Sequence, residues 1–308
     1  MDIATLLRAA TLQLEIAGVA SPRVDAELLL AHALGVDVAE VRRRAILGNA
    51  VGDALTDDDV AVFTDLLIRR ANREPLQHLT GRAPFRHLEL TVGPGVFIPR
   101  PETEVVAQVA IDEAKSLLVE HYPRGFDRFN RRPVIVDLCT GSGAIAAAVA
   151  TEVPGCSVYA VELDAAAHRW AERNLADCGV VLIKGDARTA LRELDGQVDV
   201  VVANPPYVPP GATPKDEEVA RHDPAVALYG LGADGLEIPR GITAAAARLL
   251  KPGGLFVMEH AEVQAQAVRE MVAALEAFET PTTRADLTGR PRMVIVRRRP
   301  THARLAPK

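Results

Sequence analysis

Apolar residues recur at helical spacing through the first quarter of this chain, then give way to short β-branched runs separated by helical stretches. Ile3, Leu6, Leu7, Ala10, Leu12, Leu14 and Ile16 form one apolar face. Ser21-Pro22 reads as a second helix start, with serine as cap and proline at the first helical position. That helix carries Val24, Ala26, Leu28, Leu29, Leu30, Ala33 and Leu34 and stops at Gly35. Thr56 caps a third run, from Asp57 to about Asn72. The spacing predicts a small helical bundle over residues 1–75.

The pattern changes over residues 76–103. Phe85–Leu90 and Gly95–Ile98 are short β-like pieces on either side of Gly93-Pro94-Gly95, and together they predict a hairpin linking two domains. Thr103 to about Glu120 is helical again, and His121–Arg132 reads as a surface loop. From Pro133 onward, strands are expected at Val134–Leu138, Val158–Leu163, Val180–Lys184, Val198–Ala203, Gly254–Glu259 and Met293–Arg298. Helices fit between them at Ala144–Ala150, Ala165–Leu175, Ile242–Leu250 and Ala261–Ala277. Continuous β-branched runs alternating with helices predict an α/β domain with a mostly parallel sheet covered on both faces. Residues 208–240 have no clear period, and a loop of that length is expected to serve function.

Composition narrows the class. The 308 residues are 48% hydrophobic and 25% charged, an ordinary globular balance with length for two domains. Net charge is −6, and residues 1–74 hold 12 Asp/Glu against 8 Arg. A nucleic-acid-binding head would be basic, so this one is expected to face a protein. A basic run lies near the end, at Arg297-Arg298-Arg299 with Arg304 and Lys308, and residues 301–308 read as a flexible tail. Cys139, Cys156 and Cys178 make no CxxC pair and no metal spacing, which fits a reducing cytoplasm and no metal site. No signal segment and no long apolar run is evident, so neither secretion nor membrane spanning is expected.

Candidate chemistry sits at strand ends. The first strand runs into Cys139-Thr140-Gly141-Ser142-Gly143 and an Ala-rich helix. Glycines there let backbone turn tightly and approach a ligand, and the helix start offers free N–H groups. Gly141-x-Gly143-x-x-Ala146 also fits a loose dinucleotide fingerprint, with Glu162 at the end of the next strand to meet ribose hydroxyls, so this stretch alone does not separate a nicotinamide cofactor from S-adenosylmethionine. Asp137 can bond the loop or face an ammonium group; Asp186 can accept from an adenine amino group, with the Ala187 N–H directed at the ring. Asn204-Pro205-Pro206-Tyr207 follows the fourth strand. Its Asn carbonyl and the next backbone carbonyl can accept both N–H bonds of a planar NH2 group, Tyr207 can stack on that group, and two prolines stiffen the turn. Such a tetrapeptide marks methyltransferases acting on amide-like or exocyclic nitrogens. All four sites fall on the edge where open α/β sheets bind ligands.

Over nearly its full length the chain resembles the HemK/PrmC methyltransferases, which modify the glutamine of the Gly-Gly-Gln motif in peptide chain release factors. The resemblance rests on the helical head, Glu74-Pro75-Leu76-Gln77-His78-Leu79-Thr80-Gly81, Ile98-Pro99-Arg100-Pro101-Glu102-Thr103, Asp137–Gly143, Asn204–Tyr207 and Leu255-Phe256-Val257-Met258-Glu259-His260. It implies a class I, Rossmann-like S-adenosylmethionine-dependent methyltransferase sheet with a small N-terminal helical bundle and a linking β-hairpin. The expected division is a substrate-binding bundle over 1–75, a linker over 76–103 and a methyltransferase domain over 104–300.

By that resemblance the cofactor S-adenosyl-L-methionine, leaving as S-adenosyl-L-homocysteine, meets Asp137, Cys139, Thr140, Gly141, Ser142, Gly143, Glu162, Asp186, Ala187 and Asn204. Asn204, Pro205, Pro206 and Tyr207 are the expected catalytic turn. Arg100, Pro101, Glu102 and Thr103 line the substrate side with that turn, although Arg100 and Glu102 also read as a plain hinge ion pair. The expected partner is a release factor, acted on by a cytoplasmic monomer that contacts neither nucleic acid nor membrane. Three departures stand out: the family usually has Gly at the position of Cys139, often Asp at that of Glu162, which should still reach both ribose hydroxyls, and often a bulky residue at that of Ala187. His78, His87 and His260 read as structural. Rival readings are an adenine-specific nucleic-acid methyltransferase, which lacks a visible basic groove, a nicotinamide enzyme, which leaves Asn204–Tyr207 unexplained, and a non-catalytic module on the same fold.

Overall fold

A computed structural model describes residues 2–48, 55–121, 132–214 and 216–300 of the chain, without the side chains of residues 120 and 121. In chain order, helices α1 (Ile3–Ile16), α2 (Pro22–Leu34), α3 (Val38–Leu47), α4 (Asp57–Ala71) and α5 (Leu76–Thr80) precede strands β1 (Arg82–Phe85) and β2 (Leu88–Thr91). Then follow α6 (Pro101–His121), β3 (Val134–Leu138), α7 (Ala144–Glu152), β4 (Ser157–Glu162), α8 (Ala165–Leu175), β5 (Val181–Lys184) and β6 (Val198–Ala203). Short helices α9 (Glu217–His222) and α10 (Ala225–Leu228) lead to α11 (Glu237–Leu249), β7 (Leu250–Glu259), α12 (Ala265–Ala273), β8 (Thr282–Ala285) and β9 (Pro291–Arg297).

The chain divides into two compact units. One comprises Met1–Arg82, Val92–Pro94 and Pro214–His222; the other comprises Ala83–Thr91, Gly95–Thr213 and Asp223–Lys308. In the first unit, Ile3, Leu7, Ala10 and Leu14 of α1 pack with Ala26, Leu29 and Leu30 of α2, Val41 of α3 and Phe63 of α4. Leu12 and Ile16 lie outside this stripe and are exposed, contrary to the apolar face read from sequence. Ser21 does precede α2, but its side chain makes no cap bond, whereas Thr56 and Asp59 form a reciprocal capping box on α4. The sequence reading overlooked α3, which is capped by Asp37, carries three consecutive arginines and buries only Val41. Buried Arg70 of α4 bonds Asp25 Oδ2 at 2.7 Å and Glu218 Oε1 at 2.8 Å, and Arg73 reaches Glu218 at 2.9 Å. Truncating Arg70 would strand carboxylates that are largely removed from water.

In the second unit, seven strands lie in the order β5-β4-β3-β6-β7-β9-β8. Strands β3 to β7 pair in parallel, and β9 runs antiparallel to both β7 and β8. Alternate residues of the central strands enter two cores. Ile135, Val158, Val200, Val202 and Val257 pack with Val106 and Ala110 of α6 and Ala146 and Val149 of α7. Val136, Leu138, Val201, Ala203, Phe256 and Met258 pack with Ile242, Ala246 and Leu249 of α11 and Val268 of α12. Coverage of both faces is why these strands read as unbroken apolar runs. Asp199 breaks one run for a reason: its carboxylate accepts from Val134 N at 2.8 Å and pairs with Lys251.

The hairpin is not where the sequence placed it. Strands β1 and β2 form a two-stranded sheet that turns at Arg86-His87, while Gly95–Ile98 is not a strand. Arg86 holds a left-handed φ of 55°. Its guanidinium meets both Glu152 oxygens and Gln108, which anchors the turn. The expected loop between α6 and β3 and the expected tail fall largely (122–131) or wholly (301–308) outside the described residues.

Candidate active site

The strand order reverses between β3 and β6, where a doubly wound sheet opens a ligand crevice beyond the carboxyl ends of its strands. Leu138 pairs with Ala203 across that reversal, so the glycine loop and the Asn204 turn leave the sheet side by side. Ala203 pairs in turn with Met258, which sets Asn204 beside Glu259 at the end of β7. The strand-end residues singled out from sequence therefore share one edge.

On the β3 side, Asp137 is 1% exposed. Its Oδ2 accepts from Thr140 Oγ1 at 2.5 Å and from Ala146 N at 3.1 Å, tying the loop to the first turn of α7. Its Oδ1 is buried with no hydrogen-bond partner. Burial pushes the carboxyl up to about 7 against the pull of those two donors. Glu162 takes Gly141 N at 2.8 Å on one oxygen and Asp164 N at 2.7 Å on the other, and the Leu163 backbone also bonds the carboxylate. Burial raises its pKa as well. Gly141 has φ +58°, and a Cβ there would meet nothing within 4 Å, so backbone faces open space. Gly143 has φ +85° and packs against Leu175, with no room for a methyl.

Cys139 also lies in the left-handed region, at φ 62°. A side chain in that conformation costs about 1–2 kcal/mol, which is the physical reason glycine suits the position. Burial, with Glu162, Asp137 and Asp186 nearby, raises the thiol well above its ordinary value, so Cys139 is no thiolate. Asp186 forms a forked pair with Arg188, Nη2 to Oδ2 at 2.7 Å, and Ala187 is buried beside it. Arg188, which the sequence reading did not single out, packs across Gly241 of α11.

On the β6 side, Asn204 Nδ2 donates to Thr103 Oγ1 at 3.2 Å, and that hydroxyl donates to Glu259 Oε2 at 2.7 Å. Tyr207 OH donates to Glu259 Oε1 at 3.2 Å. Burial and the negative Glu259 raise the phenol, which stays a neutral hydroxyl. Gln264 Nε2 donates to the Tyr207 and Asp234 carbonyls at 2.8 and 3.1 Å. Arg100 does not pair with Glu102 as a hinge would. It donates to Asp223 Oδ2 at 2.6 Å and lies 4.9 Å over the Phe97 ring. His260 is buried, its Nδ1 2.9 Å from the Ala261 carbonyl, and burial lowers its pKa so that it stays neutral. Roles for Glu259, Asp223, Gln264 and Arg188 were not read from sequence; each meets its partner only through folding or, for Arg188, carries no motif.

Among the described residues no cluster of His, Cys, Asp and Glu is arranged for a metal, and no helix is long and apolar enough to cross a membrane. The site offers instead a buried, unpartnered carboxylate oxygen suited to a cation, an open glycine backbone, and a carbonyl-bearing turn one strand away.

Residues 5–81 match the PrmC N-terminal domain family, and residues 100–220 match the methyltransferase small domain family. The release factor glutamine methyltransferase of Bifidobacterium longum is 43% identical over 95% of this chain and 98% of its own length. That of Streptomyces coelicolor is 47% identical over 94% and 95%. A 4-amino-L-phenylalanine/4-methylamino-L-phenylalanine methyltransferase of Streptomyces pristinaespiralis is 37% identical over 92% and 91%. Among solved structures, the hMettl16 catalytic domain aligns with TM-score 0.50 at 14% identity over 76% of this chain and 82% of its own, a likeness of fold. With full-length relatives at this identity and a class I methyltransferase sheet beneath the matched domains, the chain belongs to the release factor glutamine methyltransferase family.

Proposed function

We propose that Asn204 Oδ1 and the Pro205 carbonyl accept the two N–H bonds of a glutamine side-chain amide, and that this turn is where the enzyme acts. The enzyme is an S-adenosylmethionine-dependent methyltransferase that modifies a glutamine of a peptide chain release factor. The target we assign is the glutamine of the Gly-Gly-Gln motif, with N5-methylglutamine, S-adenosylhomocysteine and the proton that the alkylated nitrogen releases as products. One observation carries the site assignment: Asn204 uses its amide nitrogen on Thr103, which leaves its carbonyl oxygen for a donor.

An amide nitrogen is a poor nucleophile because its lone pair is delocalised. Two fixed acceptors on its N–H bonds favour the redistribution that frees the pair, and they need no reorganisation once the nitrogen is in place. Pro205 and Pro206 restrict the turn. Tyr207, tethered through its hydroxyl to Glu259, can lay its ring on the flat amide. The residues on the β3 side fit S-adenosylmethionine: Asp137 Oδ1 suits its ammonium, Glu162 its ribose hydroxyls, and the Gly141 backbone a close approach. When bound, that cofactor supplies an electrophilic methyl group on its sulfonium. Asp186 and the Ala187 N–H are assigned to adenine, with Arg188 sharing the Asp186 oxygens.

Asp137→Asn is expected to weaken S-adenosylmethionine binding roughly 10–100-fold, the worth of a charged hydrogen bond, in a calorimetric titration. The cofactor-free protein gains stability from the same change. The sign follows from the raised pKa: the folded carboxyl keeps its proton above the ordinary 3.8, up to about 7. Ionising it therefore costs the fold stability as pH rises through that window. Unchanged affinity would remove Asp137 from the cofactor site.

We assign release-factor binding to the helical bundle of residues 1–75, joined by 76–103 to the catalytic domain of 104–300. Its acidic balance suits a protein partner better than nucleic acid. A cytoplasmic monomer completes the reading. The test offers labelled S-adenosylmethionine with a release factor, its Gln→Ala variant in the Gly-Gly-Gln motif, mixed DNA and RNA, and 4-amino-L-phenylalanine. Label on the wild-type factor alone is expected. Label on nucleic acid or the arylamine would overturn the substrate and keep the cofactor site.

A further inference from the structure

Glu259 is a carboxylate 2% exposed at the catalytic edge, and the transfer chemistry above gives it no direct part. It ends β7 one strand from Asn204 and receives two hydroxyls, Thr103 at 2.7 Å and Tyr207 at 3.2 Å. An ionised carboxylate only accepts hydrogen bonds. Thr103 has one hydroxyl proton and must direct it at Glu259, so the threonine oxygen presents lone pairs to Asn204. An Asn amide has two orientations related by a half turn, one leading with NH2 and one with oxygen. Only the first can bond a hydroxyl whose proton is already engaged. The observed Nδ2···Oγ1 contact of 3.2 Å is that orientation, and it leaves Oδ1 for the substrate.

We propose that Thr103 and Glu259 are positioning residues that act in series, carboxylate to hydroxyl to amide, to hold Asn204 with Oδ1 toward the nitrogen being methylated. This rests on the role given to Asn204 above. Thr103, 4% exposed on the first turn of α6, thus belongs to the back of the turn rather than to the substrate surface. The relay is sensitive to charge. Thr103 and Glu102 face Glu259 from α6, Tyr207 from the turn after β6 and Arg292 from β9, and His260 follows it in the chain. Burial raises Glu259 to about 7. Once protonated, it can donate to Thr103, freeing the hydroxyl to donate to Asn204 Oδ1 and admitting the wrong orientation. The alignment therefore strengthens as pH rises through the Glu259 pKa and is lost below it.

The test measures kcat and KM for methyl transfer to a release factor, S-adenosylmethionine affinity and a pH profile for wild type, Thr103→Val, Thr103→Ser and Glu259→Gln. Thr103→Val keeps the shape and removes the hydroxyl. It is expected to lower kcat roughly tenfold, less than the loss of a direct acceptor, with release-factor KM and cofactor affinity near wild type. Thr103→Ser restores kcat. Glu259→Gln lowers kcat and removes the acid-side rise. Wild-type kcat in Thr103→Val, or Thr103→Ser as slow as Thr103→Val, overturns the relay. So does an unchanged pH profile in Glu259→Gln. If the wild type instead methylates 4-amino-L-phenylalanine and the valine–serine contrast persists on that amine, the relay stands and the release-factor substrate falls.

Discussion

Asn204→Ala is expected to lower kcat roughly 10²- to 10³-fold, the loss seen when one preorganised polar group aimed at a reacting centre is removed. The change takes away the acceptor that fixes the target nitrogen and leaves the glycine loop, Asp137 and Glu162 untouched, so cofactor affinity falls far less than turnover. Thr103 Oγ1 loses one donor but keeps its bond to Glu259, and the fold loses little. The discriminating measurement is single-turnover methyl transfer at saturating cofactor. A slow chemical step with ordinary cofactor affinity supports the assignment. A variant with near wild-type turnover removes Asn204 from the chemistry. Asn204→Asp is the sharper companion. Its carboxylate still accepts, but it cannot donate to Thr103 and adds negative charge near buried Glu259, so it is expected to be no faster than alanine.

The parts legible in the sequence were those whose physics is local. β3 and β6 showed themselves as apolar runs because both of their faces are covered. The Asn204 turn and the glycine loop were legible because proline and glycine constrain backbone wherever they occur. β8 was missed because Thr282–Ala285 is a short edge strand with three exposed residues, so burial imprints no pattern on it. The hairpin was misplaced because the turn is made by Arg86, a residue with no turn preference, held by Glu152 and Gln108 far along the chain. Of the two readings open for Arg100, the hinge pair with its neighbour Glu102 rested on sequence proximity, whereas its partner Asp223 lies 123 residues away. Glu259 stood in a stretch that carried the family resemblance, yet nothing in the one-dimensional string joins it to Thr103 and Tyr207. That connection exists only once β7 lies beside β6.

Gly230→Ala carries the second large effect and tests the turn through its backbone. The Asn204 turn is braced from behind by residues 228–235: Tyr207 N and Val208 N both donate to the Leu228 carbonyl, at 3.1 and 2.8 Å, and Gly230 N donates to Val208 O at 3.1 Å. A Cβ on Gly230 would stand 1.8 Å from Gly235 O and 2.7 Å from Pro206 O, and one on Gly235, at φ +73°, would stand 2.5 Å from Tyr207 O. These contacts are with backbone, so a methyl cannot be accommodated by a side-chain rotation; the turn itself must move. Overpacking of this kind costs about 1–3 kcal/mol, and a displacement near 1 Å in a reacting geometry costs about 10²-fold in rate. Gly230→Ala is therefore expected to fold, to bind S-adenosylmethionine, and to lose about 10²-fold in kcat. Gly179→Ala is the control. Unlike Gly230, it carries a left-handed φ, +67°, and its Cβ would meet nothing within 4 Å, so it adds backbone strain and no collision. A loss of kcat in Gly230→Ala that Gly179→Ala does not share locates the effect in the turn. Equal kcat in both variants would mean that the brace behind Pro206 and Tyr207 yields without moving the acceptors, and the long segment after the turn would need another role.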